Sequence, residues 1–228
     1  MPASPTSDDL THRALKARHR AIREGLPQDL NLRVHRALSW LERAEQLADA
    51  GDPDGQVIFL WIAFNAAYAR DMDQQVMLSE QEAFRTFTQA ILSLDAANRR
   101  LENLVWKEFP GSIRMLLDNP YVFPRFWEYH RGEVTHEVYA HDFEQAKAQA
   151  HKALGTGQTE RVLTLVLGRV YTLRNQLVHG GATWRSSVNR DQIRDTARFL
   201  ARLVPLVIAL MMDHPQKAWG APAWPVVS

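Results

Sequence analysis

The sequence predicts an all-α protein, a helical bundle, on three observations. Apolar residues recur at three- and four-residue spacing along nearly the whole chain, and no segment alternates apolar and polar residues as a half-buried strand does. Residues 57–68 (VIFLWIAFNAAY) are apolar almost all round, which marks a helix in the middle of a bundle. From Thr159 onward, Leu163, Val166, Val170, Leu173 and Leu177 advance by 3, 4, 3 and 4, the spacing of a bundle seam. With 228 residues, 46% of them hydrophobic, the chain can build a sizeable core.

The elements follow in order. Residues 1–9 are small and polar, the composition of a disordered tail. Residues 10–25 form a basic amphipathic helix with Leu10, Ala14, Leu15 and Ile22 on one face; it reads first as a solvated helix docked by its leucines and second as a nucleic-acid contact. Residues 31–49 carry a stripe of Val34, Leu38, Leu41 and Ala44, and Gly51-Asp52-Pro53 stops that helix. In the buried helix that follows, Asn65 and Tyr68 are the polar exceptions; three apart, they share a face and need partners. Residues 79–95 and 96–107 read as two further helices. Residues 109–135 read as an irregular insertion, because Pro110, Pro120 and Pro124 interrupt an aromatic-rich stretch. A helix over 136–153 precedes the seam helix. The last helix spans 187–212, with Arg190, Arg194, Arg198 and Arg202 on one side and Pro205 inside it, where it removes a hydrogen bond or kinks the helix. The domain plan is therefore 1–30 tail and basic helix, 31–213 helical domain with the 109–135 insertion, and 214–228 an extended Pro- and Trp-containing tail.

The absence of cysteine excludes disulfides, thiolate metal sites and cysteine nucleophiles, and fits a reducing, cytoplasmic setting. No signal peptide is visible. The longest apolar run, residues 203–212, is about half of the roughly 20 residues a membrane span needs. Net charge is +1 but unevenly spread. Residues 158–228 carry nine Lys/Arg against four Asp/Glu, and residues 31–157 carry thirteen against eighteen. An anionic partner is expected at the basic end.

The chemistry concentrates at Arg174-Asn175-Gln176-Leu177-Val178-His179, followed by Gly180-Gly181, where the seam helix ends. With the seam inward, Asn175 and His179 point outward and are neighbours four apart, so Asn175 can orient the imidazole. Arg174 lies at the seam's edge and can reach the same space. Histidine moves protons near neutral pH, and arginine grips phosphate with a fixed fork of donors. Together they suit attack of a ribose hydroxyl on its neighbouring phosphate, with no metal or other cofactor. One copy supplies one histidine; two copies across a two-fold axis would supply two. The competing reading is structural: cations near a helix C-terminus stabilise its dipole, and Gly-Gly is an ordinary stop, with Gly180 at the left-handed position. Trp184 and Arg185, just past the motif, are candidate substrate contacts; Trp184 can stack on a base or pack in a dimer.

The segment RNQLVHG resembles the signature of the HEPN superfamily, and LWIAFNAAY resembles the helix found in several of its branches, including the Apea-like group. The resemblance spans roughly residues 31–213. It implies an up-and-down α-helical bundle that dimerises with its signatures facing, and a metal-independent endoribonuclease, often a toxin or phage-defence protein. On this chain Arg174 would hold phosphate, His179 would be the acid/base and Asn175 the orienting polar residue. RNA is the implied substrate, with an antitoxin or regulatory protein as a further partner. The insertion and the two tails depart from the family pattern.

Rival chemistries are weaker. His136 and His141 are five apart, about 140° around a helix, and cannot share a face as a zinc pair must. Glu133 and His136 have di-iron spacing, but one such pair is present where two are needed. Gly155-Thr156-Gly157 is too short for a phosphate loop. Trp40, Trp61 and Trp106 sit in helical patterns and read as core. The second functional class is a non-catalytic binding module sensing RNA, a nucleotide or a protein. The arginine row and the Trp-containing tail fit it equally, although the row reads first as a solvated face.

Overall fold

The computed structural model describes residues 10–69, 80–187, 189–222 and 224. Among these it holds ten α-helices and no strand. They are α1 (His12–Ile22), α2 (Gln28–Asp49), α3 (Pro53–Tyr68), α4 (Glu80–Leu94), α5 (Arg100–Asn103), α6 (Pro110–Asp118), α7 (Pro124–His130), α8 (His136–Gly155), α9 (Thr159–Val178) and α10 (Arg190–Asp213). The expectation of a disordered tail at 1–9 lies outside the described residues.

Helix α3 is the centre, packed most extensively on α2 and α10. Its start is written in its sequence. Gly51 takes φ 67° and, with Asp52, closes α2 by returning N–H groups to Ala48 and Leu47 carbonyls. Asp52 then accepts from Gly55 N at 3.1 Å as the N-cap, and Pro53 occupies the first turn, where its missing N–H costs nothing. Val57, Leu60, Trp61, Ala63, Phe64 and Ala67 are buried on several sides of this helix, as its all-round apolar sequence requires. Burial of Trp61 and of Phe64 each contributes about 2–3 kcal/mol.

The insertion reading of 109–135 needs correction, since this segment is helical. Each of its prolines begins an element: Pro110 starts α6, Pro120 a short 3-10 turn (Pro120–Val122) and Pro124 starts α7. Proline fixes φ near the helical value and is suited to a first turn, so here it initiates helices and does not interrupt them. Residues 96–107 are also less regular than expected: the four-residue α5 runs into a wider π turn over Leu104–Glu108. Pro205 is buried inside α10, which runs through it unbroken.

The tail after α10 is docked rather than merely extended. Trp219 is buried and donates to His214 O at 3.1 Å. Arg33 of α2 is completely buried and donates to four backbone carbonyls: Ala67 (3.1 Å), Ala69 (2.6 Å), Gly220 (3.0 Å) and Ala221 (2.6 Å). This ties the end of α3 to the tail. Helix α1 docks through buried Leu15, His12 and His19, with Arg18 on Asp213 at 2.7 Å and Lys16 on Glu42 at 3.3 Å.

Replacing Arg33 with Met should lower unfolding free energy by at least ~3 kcal/mol, because charge-assisted bonds to carbonyls are lost at four points. Urea titration measures it, and an unchanged midpoint would contradict the role assigned to Arg33. His12 and His19 are both held below the ordinary histidine value, mainly by burial. A lowered folded value favours the neutral ring, so stability is present above the unfolded value of 6.5 and declines as pH falls below it. Between pH 7.5 and 5.5 the parent should lose more stability than His19→Gln, whose amide can still meet Asn31; equal losses would refute the effect.

Candidate active site

The motif occupies the last turn and cap of α9. Leu163, Val166, Val170 and Leu173 are buried as the seam, and Leu177 is half-buried. The helix ends as the structural reading foresaw. Gly180 takes φ 70°, its N–H returns to Leu177 O at 3.4 Å, and Gly181 N returns to Gln176 O at 2.7 Å. His179 is the C-cap residue, with φ −90° and ψ 10°, and is exposed. A side chain on Gly181 would meet Gln176 O at 3.1 Å, so the double glycine permits the tight return.

Within the motif the pairing differs from expectation. The amide oxygen of Asn175 accepts from Arg174 Nη1 at 2.8 Å, while Asn175 and His179 are joined through their backbones, N to O at 3.0 Å. Asn175 therefore orients the guanidinium and not the imidazole. The physical reason is charge: an arginine donor makes a stronger bond to an amide oxygen than a neutral ring N–H does. Arg174 and His179, five residues apart, also leave the helix in directions about 140° different.

Arg174 lines a cleft of about 640 Å³ between α2, α3, α9 and the tail. Arg36 and Trp40 from α2, Asn65 and Tyr68 from α3, and Tyr171 from α9 face it with Arg174. The two polar exceptions of α3 thus find their use at the cleft. Tyr68 stacks on Phe64 with centroids 4.8 Å apart, and Tyr171 packs on Trp61 at 6.0 Å, so the aromatic walls are continuous with the core. Arg36 donates to Trp224 O at 2.5 Å, fixing the tail at the rim. The cleft is lined by two arginines and by Trp40, Tyr68 and Tyr171, a combination suited to a phosphate and a stacked base.

Sequence reasoning missed Arg36, Trp40 and Tyr171. The signal was present: Tyr171 stands three residues before Arg174 on one helix face, and Arg36 and Trp40 are four apart on another. The core reading holds for Trp61. Trp106 is half-buried, bonded to Thr159 Oγ1 at 2.8 Å. It fails for Trp40, which is 38% exposed at the cleft.

Trp184 and Arg185 stand elsewhere. The Arg185 guanidinium lies 4.4 Å from the Trp184 ring, and the indole N–H donates to Asp52 Oδ1 at 3.2 Å. Asp52 is at the start of α3, on the order of 14 Å along the axis from Trp61, where the cleft begins. The loop is pinned there by Arg190, which grips Asp54 with two nitrogens and Ser186 O with Nε at 2.8 Å.

The arginine row of α10 is charge-compensated: Arg190 on Asp54, Arg194 on Asp191, Arg198 on Asp195 and Arg202 on Glu108. Helix α9 is the opposite. Arg161 bonds Gln149 at 2.9 Å, Arg169 bonds Val122 O at 3.5 Å and Arg174 bonds Asn175. Among the described residues, none of these three is paired with a carboxylate. The basic character of this end of the chain is therefore left available along α9. Of the metal candidates, Glu133 is engaged by Arg131 at 2.7 Å and His141 by Gln145 at 2.8 Å. Among the described residues no group of three or more His, Asp and Glu is placed to hold a metal.

Comparison with known proteins finds no match, whether to a family model, a curated protein or a solved structure.

Removing the clamp on the loop should expose it. Asp54→Ala leaves Arg190 without its partner and should cost about 3 kcal/mol. Trypsin should then cut after Arg185 at least several-fold faster than in the parent, as read by mass spectrometry; equal rates would show that the clamp does not hold the loop.

Proposed function

We propose that this chain is a metal-independent endoribonuclease of the HEPN type, acting at a site shared between two copies. The observation that carries the reading is the cleft that Arg174 and Arg36 line together with Trp40 and Tyr171, with exposed His179 at the end of the same helix as Arg174. An RNA phosphate would sit against Arg174, whose fork neutralises charge growing on the phosphoryl oxygens. The ribose 2′-hydroxyl loses its proton to one His179 as O2′ bonds to phosphorus. The bond from phosphorus to O5′ breaks, and O5′ takes a proton from the second copy's His179. The products are a 2′,3′-cyclic phosphate and a 5′-hydroxyl, with atoms and protons balanced.

The divergence of Arg174 and His179 within one copy supports the shared site, because a single copy turns them apart. Exposed Val178 beside His179 supplies apolar surface for the pairing. Release from an antitoxin or a phage-responsive partner is the regulation this class of activity calls for. It belongs to the same proposal.

A second reading, a nucleotide- or RNA-binding module without cleavage, is favoured by one observation. The Asn175 oxygen is committed to Arg174, so the imidazole is not oriented by it.

Single-stranded RNA incubated with the protein in EDTA should yield cyclic-phosphate ends, and His179→Ala and Arg174→Ala should each slow cleavage at least ~100-fold. Sedimentation should give a dimer at micromolar concentration. Cleavage by both variants at the parent rate would refute the site. RNA bound but uncut by the parent would select the binding module.

A further inference from the structure

A second cleft, about 950 Å³, lies between α4, α7, α8 and α9. Its floor is one face of α9, where Thr164, Gly168 and Thr172 leave it open. Gly168 is unusual there. Glycine in a helix interior is unfavourable, and a methyl group at this position would meet nothing within 4 Å, so packing does not require it. Arg169, buried, lines the same floor, and Arg161, exposed, stands at its rim.

Arg169 is the informative residue. It is only 7% exposed, yet its guanidinium is matched by no carboxylate among the described residues. It rests on the Phe123 ring, 4.6 Å from the centroid, and makes one long hydrogen bond of 3.5 Å to Val122 O. Asp118, the acid that acts on it electrostatically, is bonded to His151 at 2.7 Å. Desolvation pushes Arg169 down to about 10. A cation with little access to water and no anion beside it is held at a cost, which an arriving anion relieves. The other charges of the cleft are already spent: Arg125 holds Glu128 and Asp142, and Arg85 is 4.0 Å from Glu82.

We infer that this cleft is a second anion site, in which Arg169 and Arg161 hold a phosphate of a nucleotide or of an RNA strand. The volume has room for a nucleotide and far exceeds what inorganic phosphate needs. Tyr171 lines both clefts, so the two adjoin along α9. The site depends neither on cleavage at Arg174 nor on dimerisation, and it remains if that reading fails.

Binding of ATP and of a short oligoribonucleotide is measured by calorimetry, with His179→Ala as the parent background so that RNA stays intact. Arg169→Met removes a desolvated cation at nearly constant volume. It should melt no lower than its parent and bind the preferred ligand at least tenfold more weakly. Arg161→Gln, on the exposed rim, should weaken the same ligand several-fold at unchanged melting temperature, and it decides alone if Arg169→Met does not fold. Loss with ATP assigns a free nucleotide; loss with RNA alone assigns the strand. A parent that binds neither ligand overturns the inference, as does unchanged affinity in either variant. If only Arg174→Ala weakens RNA binding, the first cleft stands and this one falls.

Discussion

A guanidinium cut off from water must find oxygens, and among the described residues Arg33 finds four of them on two separate pieces of chain. Ala67 and Ala69 belong to the end of α3, and Gly220 and Ala221 to the tail. The C-terminal carbonyls of a helix have no partners within the helix, so α3 can end in the interior only if something supplies donors. Arg33 supplies them and donates to the tail through Nε and Nη2. The direction in which α3 ends, and with it the placement of Asn65 and Tyr68, follows from this one side chain. So does the tail's course past the cleft, where Arg36 holds it one helical turn further on.

Two sets of the molecule's other arginines contrast. Those on α5, α7 and α10 face carboxylates: Arg100 meets Asp95 and Asp213, Arg125 meets Asp142, and the α10 row is matched along its length. These link helices or quieten a surface. Among the described residues, the arginines of α9 bond only neutral partners. A helix anchored by buried Leu163, Val166, Val170 and Leu173 cannot shift to relieve such charges, so they stay fixed at the cleft walls. Rigidity from the seam and unspent charge beside it are what make α9 the chemical axis of the fold.

Much of this was legible in the sequence because the relevant signals are local. The all-round apolar character of residues 57–68 announced a central helix, and Gly180-Gly181 announced the cap that closes α9. The prolines of 109–135 misled because proline at a first turn and proline in mid-helix look alike until the elements are known. Asn175 misled because i,i+4 geometry permits a contact with His179 but does not decide it against a charged neighbour. Arg169 drew no notice inside an apolar stretch, although a charge between Val166 and Val170 was itself the signal. Trp40 could be told from Trp61 only once the tail and α9 were in place to bound the cleft.

The tail has a consequence in time. The bond from Arg33 to Gly220 spans 187 residues of sequence. At a synthesis rate of about 5–20 residues per second, α2 emerges roughly ten to forty seconds before its tail partners exist. Over that interval the buried guanidinium lacks the Gly220 and Ala221 carbonyls, and the cleft lacks the wall that the tail provides. Contacts of such long range are also the last to be rewarded in folding, since loop closure must come first. The cleft is thus finished after the helices that frame it, and a chain halted short of residue 220 carries Arg174 on an incomplete surface.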